Sequence, residues 1–301
     1  MTRRLLFLTP QVPYPPHQGT TIRNYNLLAN LAGEYEIHLL CFQNSTDNPP
    51  GNSPLPRYCS VIEAVLAPAP RSLWSRAIKT VTSASPDMGL RLASETFQAR
   101  LGMLLERYRY DVVQIEGIEM APYGLWLLQH PLWRNAQQKD NLPNIPIGRP
   151  RLVFDNHNAE YVLQQRAWET DRLKPARWHA AAYSLVQWDK LRRYERQICQ
   201  RADRVIAVSE ADRDALLRLD PQLDITVIPN GVDLDYYAAY QRANDTQAPD
   251  YGPNALVFTG KMDFRPNVDA VTWFAQEVLP LVRREISDAA FVVVGKEPHP
   301  R

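Results

Sequence analysis

The amino-acid sequence predicts an α/β protein whose strands form parallel sheets in two domains. Short apolar runs alternate with segments of helical spacing over most of the chain, which is the βαβ pattern of a parallel sheet. After Val232 the chain becomes polar without a clear period, and a second series of strands follows. A length of 301 residues is also typical of two domains.

The strands are predicted from short apolar runs that end at turn residues. The first run is closed by Pro10, and the seventh ends at Pro229. The predicted strands are residues 3–9, 36–42, 61–66, 111–115, 152–155, 204–208, 225–228, 255–259 and 290–294.

The helices are predicted from apolar residues at helical spacing together with start and stop signals. In the first, Leu27 and Leu31 share a face and Gly33 ends the helix, whereas Ser209 followed by Asp212 is close to a capping box. The predicted helices are residues 20–33, 94–107, 121–129, 159–201 with a break near Pro175, 210–219 and 267–284.

The domain organisation follows from this order of elements. Polar, proline-rich stretches at residues 44–56 and 135–150 are predicted to be surface loops. Two strands and one helix cannot bury both faces of a parallel sheet, so the second domain is expected to be incomplete as the sequence stands. The predicted parts are a first domain at 1–235, a linker at 236–253 and the start of a second domain at 254–301.

Composition excludes several classes of protein. The net charge is +1 with 22% charged residues, so no overall field recruits nucleic acid or an anionic membrane. Cys41, Cys59 and Cys199 fit no zinc motif and are odd in number, which favours a reduced, cytoplasmic protein. No stretch approaches the roughly 20 apolar residues of a membrane span.

Two loops of the first domain are candidate binding segments. Gly19 and Thr20 open a helix after a proline-rich loop, and with Arg23 they could bind an anion at the helix N-terminus; an ordinary βα loop is the alternative. His157 follows a strand end beside Asp155 and Glu160, where open α/β sheets bind ligands. It could act as a base, a hydrogen-bond donor or a structural residue, and these three side chains alone are weak evidence for a metal.

Two later junctions are also candidates. Asn230 and Gly231 favour a tight turn with positive φ. After the strand at 255–259, Lys261 and Arg265 could bind phosphate in front of the next helix. Neither a GxGxxG nor a Walker pattern occurs, which argues against dinucleotide or P-loop chemistry.

The region 166–204 combines many basic residues with tryptophans. A basic amphipathic helix of this kind can lie on an anionic membrane, so a peripheral contact at the inner face of the cytoplasmic membrane is one interpretation. Because acidic residues are interspersed, a solvated helix face is the other, and no clear basic stripe for duplex nucleic acid is present.

Taken in order, these motifs resemble family 4 glycosyltransferases of the GT-B fold, over nearly the whole chain. The opening and the segment at 155–160 resemble a bacterial branch tied to polysaccharide or exopolysaccharide assembly. The residues that carry the resemblance are Pro13-Tyr-Pro-Pro with Gly19 and Arg23, Asp155-Asn-His-Asn-Ala-Glu160, Val208-Ser-Glu-Ala-Asp212, Val227-Ile-Pro-Asn-Gly-Val-Asp233 and Thr259-Gly-Lys-Met with Asn267.

The resemblance implies two Rossmann-like, doubly wound parallel-sheet domains, of which the first holds a glycan or lipid-linked acceptor and the second a UDP- or GDP-hexose. It implies transfer with retention of configuration and without a cofactor or essential metal. Lys261 matches a residue that contacts donor phosphate, Gly19 a glycine loop that meets the donor, and His157 a polar position near the reacting carbon. His157 is expected to position groups or to donate a hydrogen bond in the transition state.

The sequence departs from the family pattern in three ways. Gly19 stands alone where paired glycines are common. Asn267 occupies a position at which a second basic residue is usual, and Arg265 is expected to substitute for it. A later acidic pair is expected beyond Arg301, and inactivity of this 301-residue chain is an open alternative.

Two other functions stay open. A GT-B relative that epimerises or hydrolyses a nucleotide sugar would need carboxylates in the cleft, for which Glu116 and Glu119 are candidates. A non-catalytic protein would bind an acceptor or partner through the first domain alone.

Overall fold

The computed structural model describes residues 3–131, 133, 150–235, 238–239, 250–262 and 264–295. The chain divides into two compact units, Met1–Gly231 and Val232–Arg301. Most of the predicted loop at 135–150 and most of the predicted linker at 236–253 lie outside the described residues. The predicted domain boundaries stay predictions.

The first unit is built on a seven-stranded parallel sheet in the order β3-β2-β1-β4-β5-β6-β7. All seven predicted strands are confirmed, with ends that differ by at most two residues. The strands are β1 Arg3–Thr9, β2 Tyr35–Gln43, β3 Cys59–Leu66, β4 Val112–Glu116, β5 Arg151–Asn156, β6 Arg204–Ala207 and β7 Ile225–Val227.

The helices of this unit agree with the prediction except between β3 and β4. There the structure has two additional helices, α2 and α3, which the sequence analysis missed. The predicted break near Pro175 is a 3₁₀ turn, Pro175–Arg177, which separates α6 from α7. The helices are α1 Gly19–Leu31, α2 Leu73–Thr82, α3 Asp87–Arg91, α4 Glu95–Arg107, α5 Ala121–Leu127, α6 Glu160–Asp171, α7 Trp178–Arg201 and α8 Glu210–Leu219.

The apolar core occupies both faces of this sheet. Along β1, Leu5 and Phe7 belong to one buried cluster, whereas Leu6 and Leu8 belong to the other. Successive side chains of a strand point to opposite faces, so a strand covered on both sides is apolar throughout. This is why β1 is a continuous apolar run, and it places helices on both faces of the sheet.

Close packing of α5 against the sheet depends on Gly124. A Cβ added at this glycine would lie 2.6 Å from the Ile115 side chain of β4, which is shorter than any real contact. Gly124 therefore lets α5 approach the sheet directly behind the end of β4.

The second unit contains a pair of parallel strands, β8 Ala255–Thr259 and β9 Ala290–Val294, within the part that the structure describes. Between them, α9 Arg265–Trp273 and α10 Leu279–Glu285 are joined by a π-helical segment, Phe274–Val278. The predicted helix at 267–284 thus starts two residues earlier, with Pro266 in its first turn as expected.

The three cysteines were expected to be reduced. Cys41, Cys59 and Cys199 are buried free thiols, and burial raises the pKa of Cys41 and of Cys59 to about 12. These thiols are therefore protonated at neutral pH and unreactive.

None of the helices in the described part of the chain has the length and apolar character needed to cross a bilayer.

Candidate active site

The order of the strands places a crevice between the carboxyl ends of β1 and β4. From β1 the chain proceeds through α1 to β2 on one side, and from β4 it proceeds through α5 to β5 on the other. Ligands of open α/β sheets bind where the strand order reverses in this way. A cleft of about 230 Å³ lies there, and its polar lining includes Thr20, Arg91, Glu116, Glu119, His157 and Glu160.

The cleft is centred on an ion pair between His157 and Glu116. The His157 Nε2 lies 2.8 Å from Oε2 of Glu116, which ends β4 and is fully buried. The other oxygen of Glu116 accepts a hydrogen bond of 2.7 Å from the Gln114 amide. The His157 side chain is 15% exposed, so the ring keeps an edge towards the cleft.

Gly117 lies directly beside this ring in an unusual backbone conformation. Its backbone has φ 77° and ψ 167°, a conformation that is essentially restricted to glycine. A Cβ at this position would lie 3.6 Å from Nδ1 of His157, so the chain passes directly beside the imidazole. The Gly117 N–H also donates a 2.8 Å hydrogen bond to the Asp155 carbonyl, which links the ends of β4 and β5.

A second ion pair, Arg23–Asp155, lies beside the first. The guanidinium donates from Nε at 3.0 Å and from NH2 at 2.8 Å to Oδ2 of Asp155. Its NH1 donates to the Ile228 carbonyl and to the Asn230 side chain, at 3.0 and 3.1 Å. Arg23 and Asp155 are both buried, and the Oδ1 of Asp155 has no hydrogen-bond partner in the described part of the chain.

The two pairs set the charge of the cleft. Burial lowers the pKa of His157, but its hydrogen bond to Glu116 and the charges of Glu116 and Asp155 outweigh burial and raise it. Burial and the Glu116 charge raise the pKa of Asp155 to about 7, against the opposing effects of His157 and Arg23. The imidazolium form of His157 is therefore favoured beside the buried carboxylates, and in that form Nδ1 also carries a proton.

The sequence marks Asp155, His157 and Glu160 as weak candidates for metal ligands. The structure instead brings Glu116, Asp155 and His157 together, with one ligand atom of each within 4.8 Å of the others. Oδ2 of Asp155 already accepts two bonds from Arg23, and Oε2 of Glu116 faces His157. The expectation that no metal is used stays a prediction.

Glu195 of α7 binds the loop that carries His157. The Glu195 carboxylate is fully buried and accepts three hydrogen bonds, from the Asn156 amide at 3.2 Å and from the backbone N–H groups of Glu160 and Tyr161 at 2.9 and 2.8 Å. It thus satisfies two free donors at the start of α6. The Ala159 N–H is bound in the same manner by the Asp212 carboxylate at 3.0 Å.

The mouth of the cleft carries an ion pair of a different kind. Arg91 of α3 donates a 2.5 Å hydrogen bond to Glu119, and more than half of the Arg91 side chain is exposed. Burial raises the pKa of Glu160, which lines the same cleft, above its usual range. One cation and two carboxylates thus line the cleft together with His157.

The predicted binding residues of the first unit occupy three environments. Gly19 and Thr20 form the first turn of α1, and Thr20 lines the cleft. Arg23 was predicted to add charge for an anion, but its guanidinium is engaged in the internal bonds described above. Asn230 and Gly231 were predicted to form a turn with positive φ, and this is wrong for Gly231, which has no positive φ. Asn230 lies in an irregular segment, with its side chain bonded to Arg23.

Lys261 and Arg265 lie in the second unit, between β8 and the start of α9. Lys261 is exposed, and its carbonyl accepts a 3.0 Å hydrogen bond from the Asn267 side chain. Arg265 pairs with Asp269 one turn later, at 3.4 Å. Asn267, noted as an unusual residue at its position, thus closes the loop that carries Lys261. The binding roles of these residues stay predictions.

Glu195 and Gly117 were not identified from the sequence, and Glu116 was only a loose candidate. Glu195 reaches the site from α7, 38 positions beyond His157 in the chain, and nothing local marks it. Glu116 ends β4 directly opposite Asp155 of β5 in the sheet register. Reading β4 and β5 as neighbours, each ending in a carboxylate, is the signal that could have placed Glu116 at the centre.

Comparison with known proteins gives one family and a set of similar folds. Residues 17–236 match the family model described as Glycosyltransferase Family 4. A search of curated proteins found no match.

Among solved structures, the chain is similar to "OtsA apo structure", with a TM-score of 0.51 and 12% identity over 98% of this chain and 66% of that one. It is also similar to an alpha,alpha-trehalose-phosphate synthase (UDP-forming) from Burkholderia xenovorans in complex with glucose-6-phosphate, with a TM-score of 0.47 and 12% identity over 99% and 76%. Phytolacca americana UGT2, complexed with UDP-2fluoro-glucose and pterostilbene, gives a TM-score of 0.47 and 12% identity over 100% and 72%. At these identities the similarity concerns the fold, and the predicted α/β class of GT-B type is confirmed.

Proposed function

This chain belongs to Glycosyltransferase Family 4, and from that membership we propose that it transfers a hexose from a UDP- or GDP-linked donor to a glycan or lipid-linked acceptor. The transfer retains the configuration of the sugar and serves polysaccharide biosynthesis in the cytoplasm. No metal or cofactor takes part. The observation that carries the proposal is the His157–Glu116 pair in the cleft at the reversal of strand order.

The pair supports a role for His157 as a hydrogen-bond donor. Glu116 binds Nε2 and so fixes the orientation of the ring, and Nδ1 has no hydrogen-bond partner in the described part of the chain. The raised pKa favours the imidazolium, in which Nδ1 carries a proton. Such a donor stabilises a sugar hydroxyl or a developing negative charge and does not form a covalent bond to the sugar.

The donor diphosphate is proposed to bind in the second unit. Lys261 follows β8, and the N-terminus of α9 begins four residues later at Arg265. Backbone N–H groups and the positive end of a helix favour phosphate, and a lysine adds a full charge. These fixed charges would balance the leaving diphosphate, which Mg²⁺ does in other enzymes.

The test is a transfer assay with the whole chain. UDP- and GDP-hexoses are supplied with glycan and lipid-linked acceptors, and the glycosylated product and the free nucleotide diphosphate are both measured. We expect product from one donor, and we expect His157→Ala to lower kcat by about a hundredfold, the usual scale for one positioned transition-state donor. His179→Ala, an exposed histidine at the start of α7, is the matched control and should retain full activity.

Three other outcomes would overturn the proposal. Release of nucleotide diphosphate at the same rate without acceptor would favour a hydrolase that uses Glu116 or Glu119. A changed sugar configuration in the nucleotide pool would favour an epimerase. A folded chain that binds no nucleotide sugar would favour the non-catalytic alternative.

A further inference from the structure

Helix α2 presents an apolar surface that no described part of the first unit covers. None of its ten residues is buried, although five of them have apolar side chains. Trp74 is 81% exposed, Ile78 58% and Val81 85%. Single exposed apolar residues are common on protein surfaces, but three on one short helix form a patch that marks an interaction site.

The three residues form a single stripe. Trp74, Ile78 and Val81 follow one another at i, i+4 and i+7, the spacing of one helix face. The side chains that hold α2 to α7, Arg76 and Thr80, have the same i, i+4 spacing two positions later. Two positions correspond to about 200° around a helix, so the apolar stripe points away from the protein.

The opposite face of α2 is bonded to α7 at three levels. Arg76 donates to the Tyr183 hydroxyl at 3.1 Å, and the Gln187 amide donates to the Thr80 hydroxyl at 3.1 Å. The Lys190 ammonium donates to the carbonyls of Thr80 and Ser83, at 2.6 and 2.5 Å. These contacts define which face of α2 is outward, so the exposed stripe belongs to an ordered part of the fold.

The charges around the stripe are positive. Residues 67–86 contain Arg71, Arg76 and Lys79 and no aspartate or glutamate. The nearest carboxylate, Asp87, is buried and pairs with both arginines, at 2.8 and 3.0 Å. Lys79, next to Ile78, is exposed and has no carboxylate partner in the described part of the chain, so the surface beside the stripe retains positive charge.

We propose that α2 docks this protein on an anionic lipid bilayer, with Trp74, Ile78 and Val81 inserted among the acyl chains. A helix with an apolar face and flanking cations lies in the plane of a membrane interface, and tryptophan favours that depth. A second copy of the chain is the competing occupant. Two copies related by a two-fold axis would bring their cations together, which opposes self-association through this face.

The docking surface differs from the one that the sequence analysis considered. In the region 166–204, the rings of Trp168 and Trp188 stack on each other at 5.5 Å between their centroids. Leu191 and Ile198 of α7 belong to the buried core. The membrane-facing stripe is therefore assigned to α2, and this assignment does not depend on the proposed enzymatic activity.

The experiment is vesicle flotation with the full chain. Vesicles of phosphatidylcholine alone are compared with vesicles of equal parts phosphatidylcholine and phosphatidylglycerol, at low and at physiological ionic strength. We expect binding to the anionic vesicles, weakened by salt. The double substitution Trp74→Ser with Ile78→Ser should lower the partition coefficient by about tenfold or more, because two inserted side chains are lost. Lys79→Gln should lower it by about fivefold at low salt.

The matched control is Met103→Ser with Leu163→Ser, which removes two exposed apolar side chains of α4 and α6. It should float as the unsubstituted protein does. Circular dichroism and thermal melting check that every variant folds, which is expected because the replaced side chains are largely exposed.

Three results would overturn the proposal. The unsubstituted protein could fail to bind anionic vesicles at low salt, or the double variant could bind as well as the control. Sedimentation velocity could also show a concentration-dependent dimer that the double variant loses, without vesicle binding, which would assign the stripe to a second copy.

Discussion

The Arg23 guanidinium and the Asp155 carboxylate form a buried ion pair that joins three separate parts of the first unit. Arg23 belongs to α1 and Asp155 to β5, and the same guanidinium also binds the Ile228 carbonyl and the Asn230 side chain after β7. The side chains are 5% and 0% exposed. The Arg23 side chain thus connects α1 with β5 and with the segment that follows β7.

Replacing Arg23 by alanine should lower the free energy of unfolding by about 3–5 kcal/mol, because it leaves a buried carboxylate without its partner. The double variant Arg23→Ala with Asp155→Asn should recover part of this loss. Urea denaturation measures both values. The control is Arg193→Ala, which breaks the exposed pair with Asp189 and should cost less than about 1 kcal/mol. Equal losses for the buried and exposed pairs would contradict this assignment.

The Glu116–His157 pair should make His157 titrate above its ordinary pKa. In the folded protein the charged imidazole is stabilised by Glu116 and Asp155, so Glu116→Gln should move the pKa of His157 downward. Proton NMR of the histidine ring measures this shift directly. Glu119→Gln removes a carboxylate that binds Arg91 instead, and it should leave the His157 titration nearly unchanged.

The same pair predicts a direction for stability against pH. Because the folded pKa of His157 is raised, its contribution is fully present below the unfolded pKa of about 6.5 and is lost as pH rises through the folded value. His157→Gln should remove this contribution and leave that of Asp155, whose pKa is raised to about 7. If the free energy of unfolding changes identically with pH in the unsubstituted protein and in His157→Gln, the pair does not stabilise the imidazolium.

Glu195 should be needed for the shape of the loop that carries His157. In Glu195→Ala the backbone N–H groups of Glu160 and Tyr161 lose their acceptor, and we expect a loss of about 3 kcal/mol in the free energy of unfolding. Hydrogen exchange should rise at those two amides first. Glu210→Ala, which removes an exposed carboxylate from the start of α8, should cost about 1 kcal/mol at most. Unchanged protection of the two amides would show that Glu195 does not hold the loop.

Gly117→Ala should destabilise the protein by about 1–3 kcal/mol, because its backbone conformation is one that side chains strongly disfavour. The Cβ itself would make only an ordinary contact with His157, at 3.6 Å, so the cost comes from the backbone. Gly231→Ala adds a Cβ in open space at a position without positive φ, and it should be nearly neutral. Thermal unfolding of the two variants gives the comparison, and equal melting temperatures would exclude a special role for Gly117.

The strands and most helices could be predicted because each one has a local cause. The continuous apolar run from Leu5 to Leu8 is only compatible with a strand covered on both faces, and the structure has it so. Ser209 caps α8 as predicted, since its hydroxyl accepts the Asp212 N–H. Helix α2 was missed because its apolar residues serve no core, and a pattern search for buried faces passes over it.

The candidate site was predictable in place but not in composition. His157 follows a strand end, so its presence at the carboxyl edge of the sheet is a consequence of the chain order. Its partner Glu116 lies 41 positions earlier, and only the pairing of β4 with β5 makes the two meet. Arg23 illustrates the opposite case, because the sequence predicts a free cation near an anion site and the tertiary structure engages it with Asp155.

The sequence by itself determined the α/β class, the sequence of elements and the edge of the sheet at which His157 lies, because these depend on local periodicity and chain order. Only the tertiary structure decided that Glu116 pairs with His157 and that Arg23 pairs with Asp155. It also decided that Glu195 supports the loop that carries His157. These pairs join residues that are 35 to 132 positions apart, and each depends on which strands and helices become neighbours. Such neighbours are selected by packing of the whole core, which no local pattern encodes.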